Sequence, residues 1–309
     1  MKKTNLAKKG LMPAVLGAVC SVVALTSVSY AWFTMGDTSR VDEIEVNVQA
    51  AGGMQISANA VDWKSVLPTD ELKDESLTNN EFNVSADGMK PTSSVGEYVN
   101  GKQNMFLGNI GEDGELDVTA SAAGHYIAFD LYIKVDADET LVLDADSFVR
   151  GLSNVDTELA VRVSFADFGG VDGTPAAAQE LGKDFNGKAR VWEPNANTHA
   201  EEVYVNGTIS EAQKTQVLEY DGVKGIQNTN EPVYDKLVEP SSKYIDLFTT
   251  NYTDENGKIG AGQVVELFDL SKGINKIRVY IWLEGQDVDC VNSISGAGFG
   301  VGLSFKLKE

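Results

Sequence analysis

Cysteine and histidine are nearly absent from this chain, whose 309 residues include two of each. Cys20 lies in an apolar segment near the start and Cys290 stands alone in the remainder, so no internal disulfide is expected. Neither His125 nor His199 belongs to an HExxH motif, which would place two metal ligands one helical turn apart. A disulfide framework and a zinc-protease centre are therefore not expected. A zinc site built from these two histidines and carboxylates stays open.

The patterns of nucleophilic catalysis are missing as well. The sequence contains no GxSxG motif, because the segment Ser293-Ile-Ser295-Gly296 lacks the leading glycine. A nucleophilic Cys290 would need an activating histidine, and no spacing in the sequence suggests one. The glycines after Ser295 open an alternating strand, as turn and bulge residues do, and no helix pattern follows as in a phosphate loop. We therefore expect no enzyme.

Positive charge is scarce: 25 lysines and arginines face 46 aspartates and glutamates, for a formal net charge of -21. Such a surface repels nucleic acid and anionic lipid, so neither is expected as a partner. Apolar residues are not scarce. With 42% hydrophobic residues, the chain can bury a substantial core and is too apolar to be disordered as a whole.

Acidic residues cluster at points that suit Ca²⁺, which prefers carboxylate oxygens. Asp136 and Asp138 precede a short apolar run, and Asp144 and Asp146 follow it. None of the clusters has the twelve-residue order of an EF-hand, and solvated loop charge is the alternative interpretation. No cofactor is expected, and Ca²⁺ is the ion that these acidic clusters would suit.

The first 31 residues have the character of an export signal. Four lysines precede an apolar run over residues 11–31, which ends in Ser29-Tyr30-Ala31 and so fits the small-x-small rule for signal-peptidase cleavage. Cleavage before Trp32 predicts a secreted, extracellular or cell-surface protein formed by residues 32–309. An uncleaved membrane anchor, lipidation at Cys20 and a pilin-like leader are the alternatives, and only an uncleaved leader would contact the membrane.

Alternating apolar and polar residues predict strands over 127–135, 159–165, 277–283 and 299–307. Strands with one apolar and one polar face are typical of antiparallel sheets with one side in water. We expect an all-β domain, an antiparallel sandwich or jelly roll, after the N-terminal export helix. Polar segments near 79–124 and 206–262 predict long loops or insertions, and short helices are expected near 62–73 and 211–220.

The segment after the cleavage point predicts a means of assembly. Trp32, Phe33 and Met35 form a flexible aromatic end, and a strand containing Val41 and Ile44 follows it. Such a segment can add to the open sheet edge of a neighbouring copy, where main-chain hydrogen bonds supply the affinity. The alternative is that this strand belongs to the sheet of its own chain.

The motif Ser29-Tyr30-Ala31-Trp32-Phe33-Thr34 after a long apolar run resembles the export region of the TasA/CalY (camelysin-like) family of Gram-positive bacteria. Scattered segments such as Ile281-Trp282-Leu283-Glu284-Gly285 are similar to clostridial proteins with this signal. The resemblance implies export through the signal peptidase SipW and a secreted jelly-roll subunit of biofilm matrix or surface fibres. Its partners would be copies of itself and, during export, the signal peptidase.

The expected function is therefore a secreted structural subunit that assembles head-to-tail by donating its N-terminal segment. The alternative is a surface adhesin or ligand-binding module that acts as a monomer. Its contacts would be aromatic residues in or near the long loops, namely Trp192, Tyr204, Tyr234 and Tyr252.

Overall fold

The structure is a computed structural model of the chain. It describes residues 41–107, 121–194, 204–205, 208–209, 245–285, 290 and 297–309, except 52, 75, 78, 83, 85–87, 95, 122–123, 153–156, 186, 188, 251 and 254–258. The predicted export segment (residues 1–31) and most of 206–262 thus lie outside the described residues. The helix expected near 211–220 lies outside them as well.

Strands dominate the described residues, and they are numbered here in chain order. The first seven are β1 Val41–Ala50, β2 Gln55–Ser57, β3 Val66–Leu67, β4 Thr92–Ser93, β5 Tyr98–Val99, β6 Lys102–Gln103 and β7 Phe106–Leu107. The next seven are β8 Ile127–Val135, β9 Glu139–Leu143, β10 Phe148–Gly151, β11 Val161–Val171, β12 Ala189–Glu193, β13 Tyr204–Val205 and β14 Thr208–Ile209. The last six are β15 Ile245–Thr249, β16 Tyr252–Thr253, β17 Ile259–Gly260, β18 Val265–Leu270, β19 Gly273–Leu283 and β20 Ala297–Leu307.

Two sheets hold most of these strands. Sheet A has the order β16-β17-β10-β20-β1-β3, with β9 also beside β20 and β18 beside β9. Sheet B has the order β15-β12-β11-β19-β8-β2. Three two-stranded pairs complete the strand content: β4 with β7, β5 with β6, and β13 with β14. The expected all-β fold is confirmed.

One hydrophobic core is shared by the two sheets. Phe305 of β20 meets the ring of Phe165 of β11 edge to face, with centroids 6.0 Å apart. The alternating residues predicted to face inward do so: Phe299, Val301, Leu303 and Phe305 of β20 are at most 1% exposed. Period-two alternation places such side chains on one face, and their burial holds the sheets together.

Two strand pairs are parallel, which corrects the expectation of purely antiparallel sheets. β1 runs parallel to β20, and β12 runs parallel to β15. Alternation along a strand does not specify the direction of its neighbour, so the sequence pattern could not reveal this.

Helices are few and short among the described residues. They are α1 Thr69–Leu72, α2 Pro175–Gln179 and a 3₁₀ turn, Thr157–Ala160. The helix expected near 62–73 thus reduces to α1, and the strand predicted to begin at Leu159 begins at Val161. The hydroxyl of Thr174 caps α2 by accepting from the backbone N–H of Ala177, and Pro175 suits the first turn.

The expectation that the polar face of the strands lies in water is wrong for sheet B. Every described residue of β8 is buried except Lys134, and β19 is buried from Ile274 to Leu283. Residues 88–107 belong to the segment near 79–124 that was expected to form long loops or an insertion. They contain the pairs β4–β7 and β5–β6, and side chains of this segment pack on that face. A second hydrophobic cluster lies between them. It contains Tyr98, Met105, Phe106, Ala128, Ala166, Phe168, Ala189, Val191, Tyr280 and Trp282.

Candidate functional site

The first strand of the described chain pairs with the last. β1 pairs with β20 from Val41 opposite Ala297 to Ala50 opposite Phe305. Among the described strands, only β3 pairs with the opposite edge of β1, and it does so at Val48 and Gln49.

A single hydroxyl group covers the next part of that edge. Thr69 Oγ1 accepts from the backbone N–H of Val46 at 2.8 Å and donates to the carbonyl of Val46 at 2.8 Å. Backbone groups alternate sides along a strand, so the N–H and C=O of Ile44 point toward the same edge. Within the part of the chain that the structure describes, no strand pairs with residues 41–45 on this side. β1 thus offers an unpaired backbone edge, the feature through which strands add to a sheet.

β1 also supplies side chains to the core between the sheets. Ile44 is 7% exposed, and Val46 and Val48 are fully buried. The chain leaves β1 through a connection of four residues that includes Gly53, whose φ is +80°, a left-handed conformation that favours glycine. β1 is therefore an integral core strand attached through a short connection.

The outer face of β20 is built around glycines over which neighbouring side chains lie. Gly302 is opposite Phe148 of β10, and a Cβ at position 302 would lie 2.3 Å from Cε1 of that ring. Two residues further along β10, the side chain of Arg150 lies over Gly300. Its guanidinium is 2.9 Å from the carboxylate of Glu45 on β1. These glycines let side chains of β10 lie flat on the sheet.

On the covered outer face of sheet B, three charged residues form a buried group, the Asp130 cluster (Asp130, Lys276 and Arg278). The Asp130 carboxylate lies 3.0 Å from Lys276 Nζ and 2.8 Å from Arg278 NH1. All three side chains are at most 4% exposed. Burial opposes the charge on Arg278, but Tyr280 and Asp130 raise its pKa above the usual value, so it stays charged.

Hydrogen bonds from the cluster anchor the surrounding segments. Arg278 NH2 donates to the carbonyl of Asn79 at 2.6 Å, and Lys276 Nζ donates to the carbonyls of Gln179 and Leu181 at 3.1 and 3.0 Å. The buried charges thus tie the segment before β4 and the end of α2 to sheet B. Removing one partner from a buried ion pair is costly, so the cluster favours one arrangement of these segments on sheet B.

A polar cleft of ≈ 370 Å³ opens beside this cluster, and we call it the Tyr132 cleft. The cleft is lined by Asp130 and Tyr132 of β8, by residues 58 and 59, by residues 76, 77, 79 and 80, and by residues 179, 180 and 183 at and after the end of α2. Burial, with the nearby Asp130 carboxylate, raises the pKa of Tyr132, so its phenol is protonated at neutral pH.

The predicted Ca²⁺ ligands are not brought together. Asp136 and Asp138 precede β9 and Asp144 and Asp146 follow it, so the length of the strand separates the two pairs. Asp138 accepts from the backbone N–H of Lys272, and Asp144 lies 2.8 Å from Lys306 Nζ. In the described ranges, no group of three or more histidine, cysteine, aspartate or glutamate residues could hold a metal ion.

The other predicted residues fall into three groups. Ser29, Ala31, Trp32, Phe33 and Met35 lie outside the described residues, while Val41 and Ile44 lie on β1 in the sheet of their own chain. Cys290 is 2% exposed within the core.

The aromatic contacts of the adhesin alternative find no support in the described residues. Trp192 is fully buried and its Nε1 donates to Thr250 Oγ1 at 2.9 Å, so it is a core residue and not an exposed contact. Tyr204 lies on β13 and Tyr252 on β16, whereas Tyr234 is outside the described residues.

Comparison of the chain with protein-family models, with curated proteins and with solved structures gives no match. Of the helices in the described ranges, none has the length and apolar character needed to cross a membrane.

Sequence reasoning missed the Asp130 cluster and the role of Thr69. A signal for the cluster was present, because Asp130, Lys276 and Arg278 occupy polar positions of strands that also place Tyr132 and Tyr280 on that face. Thr69 carries no comparable signal, since only the fold brings it beside Val46.

Proposed function

We propose that this chain is a secreted structural subunit of an extracellular or cell-surface fibre or matrix, a jelly-roll protein that assembles head-to-tail by donating its N-terminal segment. The observation that carries the proposal is the position of β1, the first strand of the described residues, one edge of which pairs with no other described strand over residues 41–45. A strand placed in this way can leave its own sheet without disturbing the connections between the other strands.

Exchange of β1 between copies would reproduce every contact that it makes within one copy. Ile44, Val46 and Val48 would fill the same core of the neighbour, and β20 of the neighbour would supply the same parallel pairing. The four-residue connection containing Gly53 would act as the hinge. Because the donating and accepting surfaces differ, such exchange need not close into a ring and can extend into a filament.

A pair of cysteines distinguishes exchange between copies from pairing within one copy. Gln49 and Ser304 are partners in the parallel register, and neighbouring strands bring Cα atoms within reach of a disulfide. The double variant Gln49→Cys/Ser304→Cys, made in the chain that starts at Trp32, is oxidised either before or after incubation under assembly conditions. Negative-stain imaging and non-reducing gels follow.

Exchange predicts that oxidation before incubation locks β1 in its own sheet and prevents filaments. Oxidation after incubation is expected to produce a ladder of covalently joined copies, which reduction removes. Either single-cysteine variant should form filaments without the ladder. If every form stays monomeric, the fibre proposal fails and the monomeric adhesin becomes the better interpretation. Mass spectrometry of the native N-terminus, with Trp32 expected first, tests the export step separately.

A further inference from the structure

The Asp130 cluster brings an amine and a carboxyl group together away from solvent. Lys276 Nζ lies 3.0 Å from Asp130 Oδ2, and both side chains are 3% exposed. The rings of Tyr132 and Phe168 flank the amine, with their centroids 5.7 and 5.5 Å from Nζ. An amine and a carboxyl group held in this way have already lost the translational freedom and most of the hydration that oppose their reaction in water.

The surroundings of Lys276 aim its nitrogen at Asp130. Besides its contact with the carboxylate, Nζ donates to the backbone carbonyls of Gln179 and Leu181 at 3.1 and 3.0 Å. An ammonium group has three N–H bonds, so these three acceptors account for all of them. When the proton directed at Asp130 moves to the carboxylate, the other two stay on the carbonyls. The lone pair that is left on Nζ therefore points toward the carboxyl group.

The two oxygens of the Asp130 carboxylate have different partners. Arg278 NH1 is 2.8 Å from Oδ1, whereas Oδ2 contacts Lys276 and accepts from the side-chain amide of Asn79 at 3.2 Å. A fixed cation beside Oδ1 stabilises the negative charge that develops there when a nucleophile adds to the carboxyl carbon. The proton from Lys276 arrives at the other oxygen, Oδ2, and makes it the better leaving group.

We propose that Lys276 and Asp130 condense to an amide that links β19 to β8, its neighbour in sheet B. Lys276 Nζ adds to Asp130 Cγ, the bond between Cγ and Oδ2 breaks, and Oδ2 leaves as water. Of the three ammonium protons, two leave with that water and one stays on the amide nitrogen, so no oxidant, cofactor or second substrate is needed. The Tyr132 cleft, which Asp130 also lines, gives the water a path to solvent. The ion pair is thus the precursor of the linked protein.

Condensation also removes charge from the interior of the protein. The Asp130 cluster holds three formal charges at no more than 4% exposure, and burying each of them is costly. The amide leaves only the charge of Arg278. Burial opposes the charge on Glu81, but neighbours that include Lys102 and Arg278 lower the pKa of its carboxyl below the usual value. Arg278 therefore keeps an acidic neighbour once Asp130 is neutral. The inference does not depend on the fibre proposal, because both linked residues belong to one copy of the chain.

Intact-mass measurement of the full chain, folded and incubated at neutral pH, tests this directly. The linked chain is expected to be lighter, by one water molecule, than its sequence requires. Trypsin does not cleave after an acylated lysine, so digestion should leave residues 273–278 uncut and joined to residues 103–134, the tryptic peptide that contains Asp130. A chain that keeps its full mass, or separate peptides that end at Lys134 and Lys276, would overturn the proposal.

Two variants and a chemical treatment distinguish this bond from other losses of water. Lys276→Gln removes the amine, so this variant should have the full mass of its sequence. Lys134→Gln changes an exposed lysine on the strand that contains Asp130, and as the matched control it should remain one water lighter than its sequence requires. Hydroxylamine opens the cyclic imide that an Asp-Gly step can form but leaves an amide intact, so it should not change the mass of the parent. A mass loss that persists in Lys276→Gln, or that hydroxylamine reverses, would place the dehydration elsewhere and refute the assignment.

Discussion

On the outer face of sheet A, side chains of β10 lie over glycines of β20, whereas a second layer of the chain covers the outer face of sheet B. The ion pair on sheet A, Arg150 with Glu45, is 49% and 45% exposed, while the Asp130 cluster on sheet B is at most 4% exposed. Exposed pairs contribute little to stability and buried ones are costly to break. Substitutions in the Asp130 cluster of sheet B are therefore expected to cost more stability than substitutions on the outer face of sheet A, the sheet from which we propose that β1 is exchanged.

The comparison is tested most severely by Arg278→Met, which removes one of the two cations that pair with the Asp130 carboxylate and also removes the donor to the carbonyl of Asn79. Loss of one partner from a buried ion pair is expected to lower the free energy of unfolding by about 3 to 5 kcal/mol. Urea denaturation followed by tryptophan fluorescence measures the change. The matched control on sheet A, Glu45→Gln, should cost less than about 1 kcal/mol. Similar losses in the two variants would remove the distinction between the sheets.

On sheet A, Gly302→Ala probes the close approach of Phe148, since the new Cβ would lie 2.3 Å from the ring. We expect a loss of about 2 kcal/mol in the free energy of unfolding, because the ring must leave the sheet surface. In a Phe148→Ala background the same substitution should cost much less, so a double-mutant cycle should give a large coupling energy. Additive effects would show that the ring can shift freely.

A smaller effect is expected from Thr69→Val, which keeps the shape of the side chain and removes the hydroxyl that bonds both backbone groups of Val46. The expected cost is about 1 kcal/mol, the usual value for lost hydrogen bonds at a partly buried position. Hydrogen exchange should reveal faster exchange of the Val46 amide, with little change in β8 or β19. Protection of Val46 equal to that in the parent would mean that Thr69 does not hold this edge.

The smallest effect concerns Asp167 at the irregularity of β11, where burial, with Asp269 nearby, raises the pKa of its carboxyl. A raised pKa in the folded state means that Asp167 favours folding below its ordinary pKa and loses that contribution as pH rises through the folded value. Asp167→Asn retains the oxygen that accepts from Gly169 and removes the charge. It should raise stability at pH 7 by about 0.5 kcal/mol and have no such benefit at pH 3. A loss of stability at pH 7, seen in thermal unfolding, would contradict this.

Much of the core could be predicted from local patterns. The alternation in β8, β19 and β20 identified the side chains between the sheets, because strand geometry alone decides which residues share a face.

The surroundings of those faces could not be predicted. Asp130, Lys276 and Arg278 occupy the polar face as expected, but a polar face can meet water or a second polar layer of protein, and alternation does not distinguish the two. The segments that supply this layer are distant in sequence and have short, irregular strands. The Tyr132 cleft depends on four such segments and carries no local motif.

The pairing of β1 with β20 has a consequence for the order in which the domain can form. Val41 and Ala297 are neighbours in the sheet although about 250 residues separate them in the chain. During synthesis β1 can meet β3 and Thr69 early, but it has no β20 to pair with until that strand has been made. Throughout that interval the apolar side chains of β1 need shielding by a chaperone or by transient contacts, and a truncation that removes β20 would leave β1 without its parallel partner.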